Sequence, residues 1–485
     1  MARLRVLSVA SEAYPLIKTG GLADVAGALP LALAREDIAV RTLVPGFPQV
    51  LAALPDATAI CEFPELGGGP ARLLAAEVAG LDVLIVDAPH LYGRPGNPYL
   101  GPDGRDWPDN GLRFGALAQC AATIALGGVA GEPPDILHAH DWQAGLAPAY
   151  LHYTAGPRPK TVMTVHNLSF QGLFPRDLLP RLGLPRHAWS IEGVEYHGKI
   201  SFLKAGLAFA DLITTVSPTY ATEIRTPHEG MGLDGLLRSR SNVLHGIRNG
   251  IDEDIWNPAS DPLLATRYDA SRLALRRANK AELQTRLGLD LEPDTLLFGV
   301  VSRLTAQKGL DLLHDALPTL LAAGVQLALL GSGDRVLERK FLAAAEQHGG
   351  RVAVQIGYDE SLAHLLQGGV DALFVPSRFE PCGLTQLYAL RYGAIPVVAR
   401  VGGLADTVID ANDAALGAGV ATGVQFAPVT VAGIEVAIAR TLALWKDRKT
   451  WRRMQARAMA SDVSWRRPAH RYAELYRELA RDTSC

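Results

Sequence analysis

Residues 372–386 read ALFVPSRFEPCGLTQ, an apolar run followed by a turn and then by a helical pattern. Ala372–Val375 is apolar throughout, which is typical of a parallel strand covered on both faces. Pro381 and Gly383 force a turn, and a helix is predicted from about Gly383 to Leu390. This order of strand, tight loop and helix favours a doubly wound sheet, in which ligands bind at the carboxyl ends of the strands.

Short apolar runs alternate with helical stretches on both sides of this segment. In the second half, the predicted strands are Leu296–Val301, Gln326–Leu330, Val352–Ile356, Ala372–Val375 and Pro396–Ala399. In the first half, they are Arg5–Val9, Val40–Val44, Val83–Val86, Ile136–Ala139, Thr161–Val165 and Leu212–Val216. Helices are predicted at Ala23–Arg35, Gly111–Leu126 and His470–Arg481, the last of them amphipathic. The predicted fold class is therefore α/β, with two doubly wound parallel sheets.

The length of the chain indicates more than one domain. A chain of 485 residues exceeds what one hydrophobic core usually supports, so two domains are expected. The stretch from Asn249 to about Arg286 is polar and is interpreted as the passage between the two sheets. We predict an N-terminal Rossmann-like domain over residues 1–250, a C-terminal one over residues 251–460, and a final helical segment over residues 461–485.

Composition and charge exclude several classes of protein. An apolar content of 48% and a charged content of 20% are ordinary for a globular protein. The net charge of −3 gives no sign of a nucleic-acid track or a polybasic membrane patch, so neither nucleic acid nor a membrane is expected as a partner. The apolar stretch 116–130 contains Gln119 and is too short to span a bilayer, so it is predicted to be a buried helix.

The cysteines and the N-terminus indicate a reducing compartment. Cys61, Cys120, Cys382 and Cys485 fit neither a zinc pattern nor a dense disulfide framework, so thiols are expected. The N-terminal apolar run is brief and soon meets Glu12, so no signal peptide is predicted. The expected location is the cytoplasm.

Charged residues follow two strands of the second half. Glu380 could hold sugar hydroxyls or could cap the helix that follows it, whose first N–H groups would suit a phosphate. Arg303 and Lys308 come after the strand 296–301. They could neutralise a diphosphate leaving group, as a metal does in other enzymes, or they could be two solvated surface charges.

Histidines end two strands of the first half. His138, His140 and Asp141 could be metal ligands, but no distant carboxylate or histidine pair completes a recognisable set, and no metal is predicted. His166 taken alone is more typical of a structural histidine. A Gly-x-Ser-x-Gly hydrolase elbow, a Gly-x-Gly-x-x-Gly fingerprint after the first strand and a P-loop are all missing from the sequence. No cofactor is therefore predicted.

A short motif occurs once in each half. Residues 20–24 read GGLAD, and the same five letters recur at residues 402–406, each time after a strand and before a helix. Paired glycines let backbone N–H groups approach an anion closely. The two loops together suggest a ligand held between the sheets, whereas either loop alone is explained equally well as a tight turn.

These segments together resemble the glycogen and starch synthase family, and the resemblance extends from Ser11 to the last helix. Residues 18–25, KTGGLADV, resemble its N-terminal signature, and residues 377–386 resemble its second hallmark; both motifs are specific. Further matches follow in the expected order at residues 138–142, 164–168, 249–252 and 302–309.

The resemblance implies a GT-B architecture, in which two Rossmann-like domains face each other across a cleft and the final helix crosses back to the first domain. It implies transfer of glucose from a sugar nucleotide to the non-reducing end of glycogen or another α-1,4-glucan, with retention of the α configuration. ADP-glucose is favoured over UDP-glucose because the signatures are of the bacterial and plastid type.

The resemblance also implies roles for individual residues. The catalytic set carried over by match is Asp141, His166, Arg303, Lys308 and Glu380. The substrate-binding set is Lys18, Gly20, Gly21, Asp24, Asn167, Asn249, Cys382, Gly383, Leu384 and Thr385. Within these sets, Arg303 and Lys308 bind the diphosphate, and His166 hydrogen-bonds a hydroxyl of the donor sugar.

One position departs from many related retaining transferases. They carry a second Glu eight residues after the first, where this chain has Tyr388. Bacterial glycogen synthases share the departure, so it narrows the family and argues against a sucrose synthase.

Three alternatives remain at the level of the sequence. They are an α-glucosyltransferase of the same fold with another donor or acceptor, a non-catalytic glucan-binding protein, and a nucleotide-sugar epimerase. The intact set of Lys18, Asp141, Arg303, Lys308 and Glu380 argues against the second. Dependence on a glucan acceptor separates the family's reaction from the other two.

Overall fold

Apolar runs form the central strands of two largely parallel sheets in a computed structural model that describes residues 3–129 and 131–481. The chain divides into two compact units. Unit 1 runs up to Asn249 and resumes at Trp465, and unit 2 spans Gly250–Ser464. The predicted boundaries lay at residues 250 and 460.

Unit 1 contains twelve of the strands. They are β1 (Leu4–Val9), β2 (Ile38–Pro45), β3 (Thr58–Phe63), β4 (Ala71–Val78), β5 (Leu81–Asp87), β6 (Ile136–His140), β7 (Lys160–Val165), β8 (Leu173–Pro175), β9 (Glu195–Tyr196), β10 (Lys199–Ser201), β11 (Leu212–Thr215) and β12 (Leu244–Gly246). Its helices before the crossing to unit 2 are α1 (Gly21–Ala34), α2 (Pro48–Ala53), α3 (Pro89–Tyr92), α4 (Asn110–Ala125), α5 (Asp141–Ala144), α6 (Leu146–Tyr153), α7 (Phe202–Phe209), α8 (Pro218–Glu223) and α9 (Asp234–Ser239).

Unit 2 contains the remaining described strands. They are β13 (Leu297–Val301), β14 (Gln326–Gly331), β15 (Val352–Ile356), β16 (Ala372–Val375), β17 (Ile395–Ala399) and β18 (Val424–Phe426). Its helices are α10 (Arg276–Leu287), α11 (Leu310–Asp315), α12 (Leu317–Ala322), α13 (Arg335–Gln347), α14 (Glu360–Gly369), α15 (Thr385–Tyr392), α16 (Gly402–Thr407), α17 (Asp413–Ala418), α18 (Val431–Lys446) and α19 (Arg448–Met459). The final helix, α20 (Arg466–Arg481), belongs to unit 1.

The main sheet of unit 1 has nine strands in the order β12-β11-β7-β6-β1-β2-β5-β4-β3. β1 pairs in parallel with both β2 and β6, so the chain builds outward from β1 in two directions. The place between β1 and β6 is a topological switch point, where loops diverge and ligands of such sheets bind. β3 and β4 extend one edge of the sheet in antiparallel fashion.

The sheet of unit 2 has six parallel strands in the order β15-β14-β13-β16-β17-β18. This is the strand order of a Rossmann fold, with its switch point between β13 and β16. The two predicted doubly wound sheets are thus confirmed, and every predicted strand has a counterpart within two residues of its expected ends.

The sequence analysis missed several strands. β3, β4, β12, β18 and the small antiparallel sheet of order β8-β10-β9 were not predicted. β3 and the small sheet are largely half-buried or exposed, and β12 and β18 have only three residues each, so neither a continuous apolar run nor a clear alternation marks them.

The interpretation of residues 249–286 as a polar passage is wrong at its C-terminal end. Its last part forms α10, which packs on α14 and buries polar side chains. The Lys280 Nζ atom lies 2.7 Å from Asp371 Oδ2, and Arg276 donates a 2.7 Å hydrogen bond to the carbonyl of Val370. A helix that packs through paired polar groups lacks the apolar stripe by which such helices are predicted.

The final helix packs in unit 1. α20 begins at Arg466, four residues before the predicted start, and buries Tyr472 and Tyr476 against a core that includes Val25 and Leu29 of α1. Arg477 donates a 2.6 Å hydrogen bond to the carbonyl of Glu36 just after α1. The predicted amphipathic face therefore has its packing surface on this helix and the adjoining strands.

Candidate active site

In unit 2, the loops that follow β13 and β16 are packed backbone against backbone at the switch point. Gly309 has a φ of +68°, and a Cβ atom on it would lie 1.9 Å from the carbonyl oxygen of Pro376. The backbone N–H of Arg378 donates to the carbonyl of Gln307 at 2.8 Å. Only glycine permits the close approach of residue 309 to Pro376. This approach fixes the position of Lys308 relative to the loop of Glu380.

The carboxylate of Glu380 is buried and compensated. Its Oε2 atom lies 2.5 Å from Lys308 Nζ and accepts a 2.8 Å hydrogen bond from the hydroxyl of Ser377. Glu380 is therefore not the helix cap that the sequence left open as an alternative. The structure joins two predicted site residues in one ion pair, and Ser377 completes it.

The other cations of these loops differ in what they contact. Arg378 forms a two-pronged ion pair with Asp311 at 2.7 Å and donates to the carbonyl of Ala306, so it holds the two loops together. Arg303 is exposed, and its guanidinium makes no hydrogen bond or ion pair with any residue of 3–129 or 131–481. Of the two, only Arg303 is available to an anionic ligand.

The turn after Glu380 leads into α15, which begins at Thr385, two residues later than predicted. Gly383 has a φ of +71°, and the side chain of Gln386 donates to the carbonyls of Cys382 and Gly383 at 3.0 and 2.9 Å. No side chain caps α15 after Leu384, so its first N–H groups are open to an anion.

The second copy of the GGLAD motif serves the fold of this turn. The N–H of Gly403 donates to the carbonyls of Glu380 and Pro381 at 3.1 Å each, and a Cβ atom on Gly403 would lie 2.3 Å from the carbonyl oxygen of Cys382. The interpretation of this loop as an anion site is therefore wrong for Gly403. Its glycine is needed because the backbone packs against the turn.

In unit 1, the first copy of the motif starts α1. Lys18 Nζ lies 2.7 Å from Asp24 Oδ1, so these two predicted residues form an ion pair. Gly20 is exposed, and a Cβ atom on it would meet no atom within 4 Å. No side chain caps α1, whose first residue is Gly21, so this helix start is also open.

A buried carboxylate behind this loop was missed by the sequence analysis. Glu12 is 3% exposed and accepts hydrogen bonds from the backbone N–H and the hydroxyl of Thr19 and from the hydroxyl of Tyr99. The hydroxyl of Tyr99 also lies 2.8 Å from Ser11 Oγ. Glu12 lies in the loop after β1, three residues beyond Val9 at the switch point, and that position is the signal that could have identified it.

Asp141 connects the ends of β6 and β7. Its φ is +54°, and its Oδ1 atom accepts the backbone N–H groups of His166 and Asn167 at 2.7 and 3.4 Å. Burial raises the pKa of Asp141 to about 7, although the two backbone donors act in the opposite direction. The carboxyl can therefore hold a proton near neutral pH.

Three histidine side chains lie side by side at this end of the sheet. The rings of His138 and His140 have centroids 4.0 Å apart and are tilted by 37° to each other, and His140 Nδ1 lies 3.0 Å from His166 Nε2. Burial lowers the pKa of His138 and His166 to about 3 and that of His140 well below its ordinary value, so all three are neutral at pH 7. Within residues 3–129 and 131–481, no group of three His, Cys, Asp or Glu is placed to hold a metal ion.

Two predicted asparagines differ in their contacts. Asn167 Oδ1 accepts the backbone N–H of Ser169 at 3.0 Å, which shapes the loop after β7. The Oδ1 atom of Asn249 is buried and has no hydrogen-bond partner among the described residues. A buried amide oxygen without a hydrogen bond is unfavourable and uncommon, so Asn249 Oδ1 is an acceptor whose capacity is unused among the described residues.

Comparison with known proteins matches both halves of the chain to families. The starch synthase catalytic domain family matches residues 5–239, and the group 1 glycosyl transferases match residues 282–458. A curated glycogen synthase of Rhodopseudomonas palustris is 62% identical over 479 residues, which cover 99% of each chain. The chain belongs to the glycogen and starch synthase family. A second member, the glycogen synthase of Acidiphilium cryptum, is 60% identical over 98% of this chain and 99% of its own.

Two solved structures show the same fold as this chain, and one of them is a starch synthase. The catalytic domain of starch synthase IV from Arabidopsis thaliana, solved with ADP and acarbose, has a TM-score of 0.88 and 31% identity over 99% of this chain and 100% of its own. Sucrose-phosphate synthase from Thermosynechococcus elongatus shares the fold, with a TM-score of 0.61 at 18% identity over 98% of this chain and 99% of its own. The fold is GT-B, and the chain is a glycosyltransferase.

In this family member, the position of the second Glu is filled by an aromatic stack. Tyr388 lies on Trp256 with ring centroids 3.8 Å apart, and His364 lies on Trp256 at 3.9 Å, both nearly parallel to it. Two rings at these distances need opposite faces of the indole, so Trp256 is sandwiched. The replacement of Glu by Tyr is thus part of the packing of unit 2.

The described residues contain neither a candidate membrane span nor a disulfide. No helix among the described residues combines the length and the apolarity that a bilayer crossing requires. Cys61, Cys120 and Cys382 form no disulfide, and Cys485 lies outside the described residues.

Proposed function

We propose that this chain transfers glucose from ADP-glucose to the non-reducing end of an α-1,4-glucan such as glycogen, with retention of the α configuration. One observation carries the proposal: the Lys308–Glu380–Ser377 cluster lies at the switch point of unit 2, before an uncapped helix start. The starch synthase structure with bound ADP supports the adenine nucleotide, and the curated glycogen synthases support the glucan acceptor.

In unit 2, we assign the donor phosphates to the exposed guanidinium of Arg303, the Lys308 ammonium and the first N–H groups of α15 at Thr385. All three are positive or partly positive, and charge grows on the β-phosphate as the glycosidic bond breaks. Glu380 keeps one carboxylate oxygen for Lys308 and Ser377 and has the other for hydroxyls of the glucosyl ring. Cys382, Gly383 and Leu384 form the turn that brings these groups together.

In unit 1, we assign Lys18, Gly20 and Gly21 to the donor phosphates, with Asp24 holding the Lys18 ammonium in place. His166 is neutral and has one ring nitrogen without a partner among the described residues, so it can hydrogen-bond a sugar hydroxyl. Other polar groups accompany it: Asp141 after β6, Asn167 after β7, and Asn249 with its buried amide oxygen.

The proposed reaction occurs on one face of the sugar. The bond between the anomeric carbon and the β-phosphate oxygen breaks, and the acceptor's 4-hydroxyl oxygen bonds to the same carbon. The hydroxyl proton passes to the leaving phosphate, so ADP leaves with the bond electrons. The side chains of Arg303 and Lys308 stabilise the charge on the leaving group. We propose that no cofactor takes part, and we place the enzyme in the cytoplasm because its three described cysteines form no disulfide.

The test is transfer of radiolabelled glucose from ADP-glucose and from UDP-glucose, each with glycogen, with glucose 6-phosphate as acceptor, or with no acceptor. We expect label in alcohol-insoluble glucan only with glycogen, and at least tenfold faster with ADP-glucose. Glu380→Ala is the inactive control. Transfer to glucose 6-phosphate, or faster use of UDP-glucose, would contradict the proposal and favour another α-glucosyltransferase of the same fold.

A further inference from the structure

Two neutral imidazoles share one hydrogen bond beside the proposed sugar site. His140 ends β6 and His166 follows β7, and the two strands pair in parallel. The bond joins His140 Nδ1 to His166 Nε2 at 3.0 Å. A neutral ring carries one N–H, so one of these two nitrogens donates and the other accepts. The choice fixes whether the remaining nitrogen of His166, Nδ1, is a donor or an acceptor.

A serine on the neighbouring strand makes that choice. Ser8 on β1 is 4% exposed, and its Oγ atom lies 3.2 Å from His140 Nε2. Within the described parts of the chain, this is the hydrogen-bond partner of that hydroxyl. If the ring donated to Ser8, the serine proton would be buried without an acceptor, which is unfavourable. The serine hydroxyl therefore donates, and His140 Nε2 accepts.

We infer that Ser8 and His140 set the tautomer of His166, so that His166 presents an N–H donor at Nδ1 to a hydroxyl oxygen of the donor sugar. His140 carries its proton on Nδ1 and donates it to His166 Nε2, which leaves the proton of His166 on the other nitrogen. His140 is a positioning residue and does not itself contact the substrate. The role of the N–H in transfer rests on the function proposed above; the tautomer itself does not.

The surroundings keep the His140 ring from turning over. The His138 ring packs against it in a tilted contact, with centroids 4.0 Å apart. The His138 ring is itself held by the hydroxyl of Tyr476 at Nδ1 and by the hydroxyl of Thr164 at Nε2. The cavity of about 10 Å³ beside Ser8 lies at the lower limit of the volume that one water needs, and its lining is mostly apolar, so it offers no second acceptor to the serine hydroxyl. The direction of the relay is thus fixed by packing as well as by the serine.

Nitrogen NMR of the full-length protein labelled with ¹⁵N-histidine tests the tautomer without any assay. The signals of His166 are identified by their loss in His166→Gln. We expect a protonated Nδ1 and an unprotonated Nε2 for His166 in the wild type. In Ser8→Ala we expect a mixture of the two tautomers. A protonated Nε2 in the wild type, or no change in Ser8→Ala, would overturn the inference.

Activity tests the positioning role. His140→Leu removes the donor to His166, whereas His140→Asn keeps an N–H near the place of Nδ1. We expect turnover to fall about ten- to a hundredfold in His140→Leu, the range seen when a partner that orients a functional histidine is lost, and to recover at least partly in His140→Asn. Thermal unfolding shows whether each variant folds.

The outcomes separate the two proposals. If the wild type transfers no glucose to glycogen, the proposed function fails while the NMR result still decides the tautomer. If the wild type is active and folded His140→Leu keeps wild-type turnover with an altered His166 tautomer, the positioning role is wrong. Equal losses in folded His140→Leu and His140→Asn would also contradict it.

Discussion

At the scale of single residues, the environment of a side chain decides its chemistry. Lys308 and Glu380 lie 72 positions apart in the chain, yet they form a 2.5 Å pair in which Ser377 takes part. Arg303 is a cation of the same loop without such a partner in the described residues. The pair holds the lysine in place for the phosphate that we propose it binds.

Replacement of Lys308 by Ala removes one contact to the developing charge on the leaving phosphate. We expect turnover to fall by about two to three orders of magnitude, the usual effect of losing one such contact. Lys340→Ala is the matched control, because Lys340 is an exposed lysine on α13 of the same unit, and it should be as active as the wild type. Initial rates with saturating glycogen measure both. Near-normal turnover in Lys308→Ala would remove the lysine from the mechanism.

Asp141→Asn tests the buried carboxyl. Between pH 4 and 7, the folded protein holds a proton that the unfolded chain has released, since burial raises the pKa from 3.8 to about 7. The stability of the wild type therefore falls as the pH rises through this window. The amide keeps an acceptor for the N–H of His166 and does not titrate, so this fall should be missing in the variant.

The advantage of Asp141→Asn should grow from near zero at pH 4 to about 1–4 kcal/mol above pH 7, given about 1.4 kcal/mol per pKa unit. Urea unfolding at pH 4.5, 6 and 8 measures it. If the difference in the free energy of unfolding between Asp141→Asn and the wild type were the same at all three pH values, Asp141 would be ionised in the folded protein throughout this range. The activity of the variant should fall in any case, because the charge belongs to the proposed site.

At the scale of elements, two packing clusters hold the loops and helices of the site. In unit 2, Trp256 is sandwiched between Tyr388 of α15 and His364 of α14. The carboxylate of Asp261 accepts from His364 Nδ1 at 2.7 Å and from the hydroxyl of Tyr392 at 2.6 Å. This cluster connects the helix that begins at the proposed phosphate site to the body of the unit.

The His364 cluster predicts a loss of stability in alkali. Burial disfavours the charged ring, but hydrogen bonds with Asp261 and Glu360 outweigh it and raise the pKa of His364 to about 8. Because the pKa of His364 is higher in the folded protein than in the unfolded chain, protonation of His364 stabilises the fold. This contribution to the free energy of unfolding is complete below pH 6.5 and is lost as the pH rises through about 8. We expect a loss of about 2 kcal/mol between pH 6 and 9.

His364→Asn should be less stable than the wild type at pH 6 and should show little of this pH dependence. His348→Gln, at the C-terminal end of α13, is the control and should lose as much stability between pH 6 and 9 as the wild type. Urea unfolding at pH 6 and 9 compares them. If His364→Asn lost as much stability between pH 6 and 9 as the wild type, the pH dependence would come from another group.

In unit 1, the final helix supports the histidine cluster. The hydroxyl of Tyr476 lies 2.7 Å from His138 Nδ1, and both side chains are buried. Tyr476→Phe should lower the free energy of unfolding by about 1–3 kcal/mol, because it leaves a buried acceptor unpaired. Tyr153→Phe, whose hydroxyl has no hydrogen bond to a described residue, should cost less than about 0.5 kcal/mol. Equal stability of the two variants would contradict the assigned bond.

At the scale of the whole molecule, each unit has an uncapped helix start close to its own cations at a switch point. Unit 1 has α1 with Lys18, and unit 2 has α15 with Arg303 and Lys308. In unit 2, Arg303, Lys308 and the open start of α15 are the groups that we propose to neutralise a diphosphate, as a divalent metal does elsewhere. We therefore expect millimolar EDTA to leave at least half of the transfer activity. Complete loss, restored by a divalent ion, would revive the interpretation of His138, His140 and Asp141 as metal ligands.

The sequence alone determined the two doubly wound sheets, because parallel strands covered on both faces are continuous apolar runs. It also predicted which loops carry the proposed site, since Lys18, His166, Lys308 and Glu380 follow strands and ligands bind where strands end. The polar helix α10 and the short edge strands escaped prediction because they leave no apolar period in the sequence.

The tertiary structure alone decided the contacts among the site residues. The ion pair of Lys308 with Glu380 depends on the approach of two loops at Gly309, and the bonds of Ser8, His140 and His166 depend on the order of β1, β6 and β7 in the sheet. Glu12 and Tyr99 were missed for the same reason. A sequence records which side chains follow which strands, but hydrogen bonds form between atoms that only the pairing of distant strands brings within 3 Å.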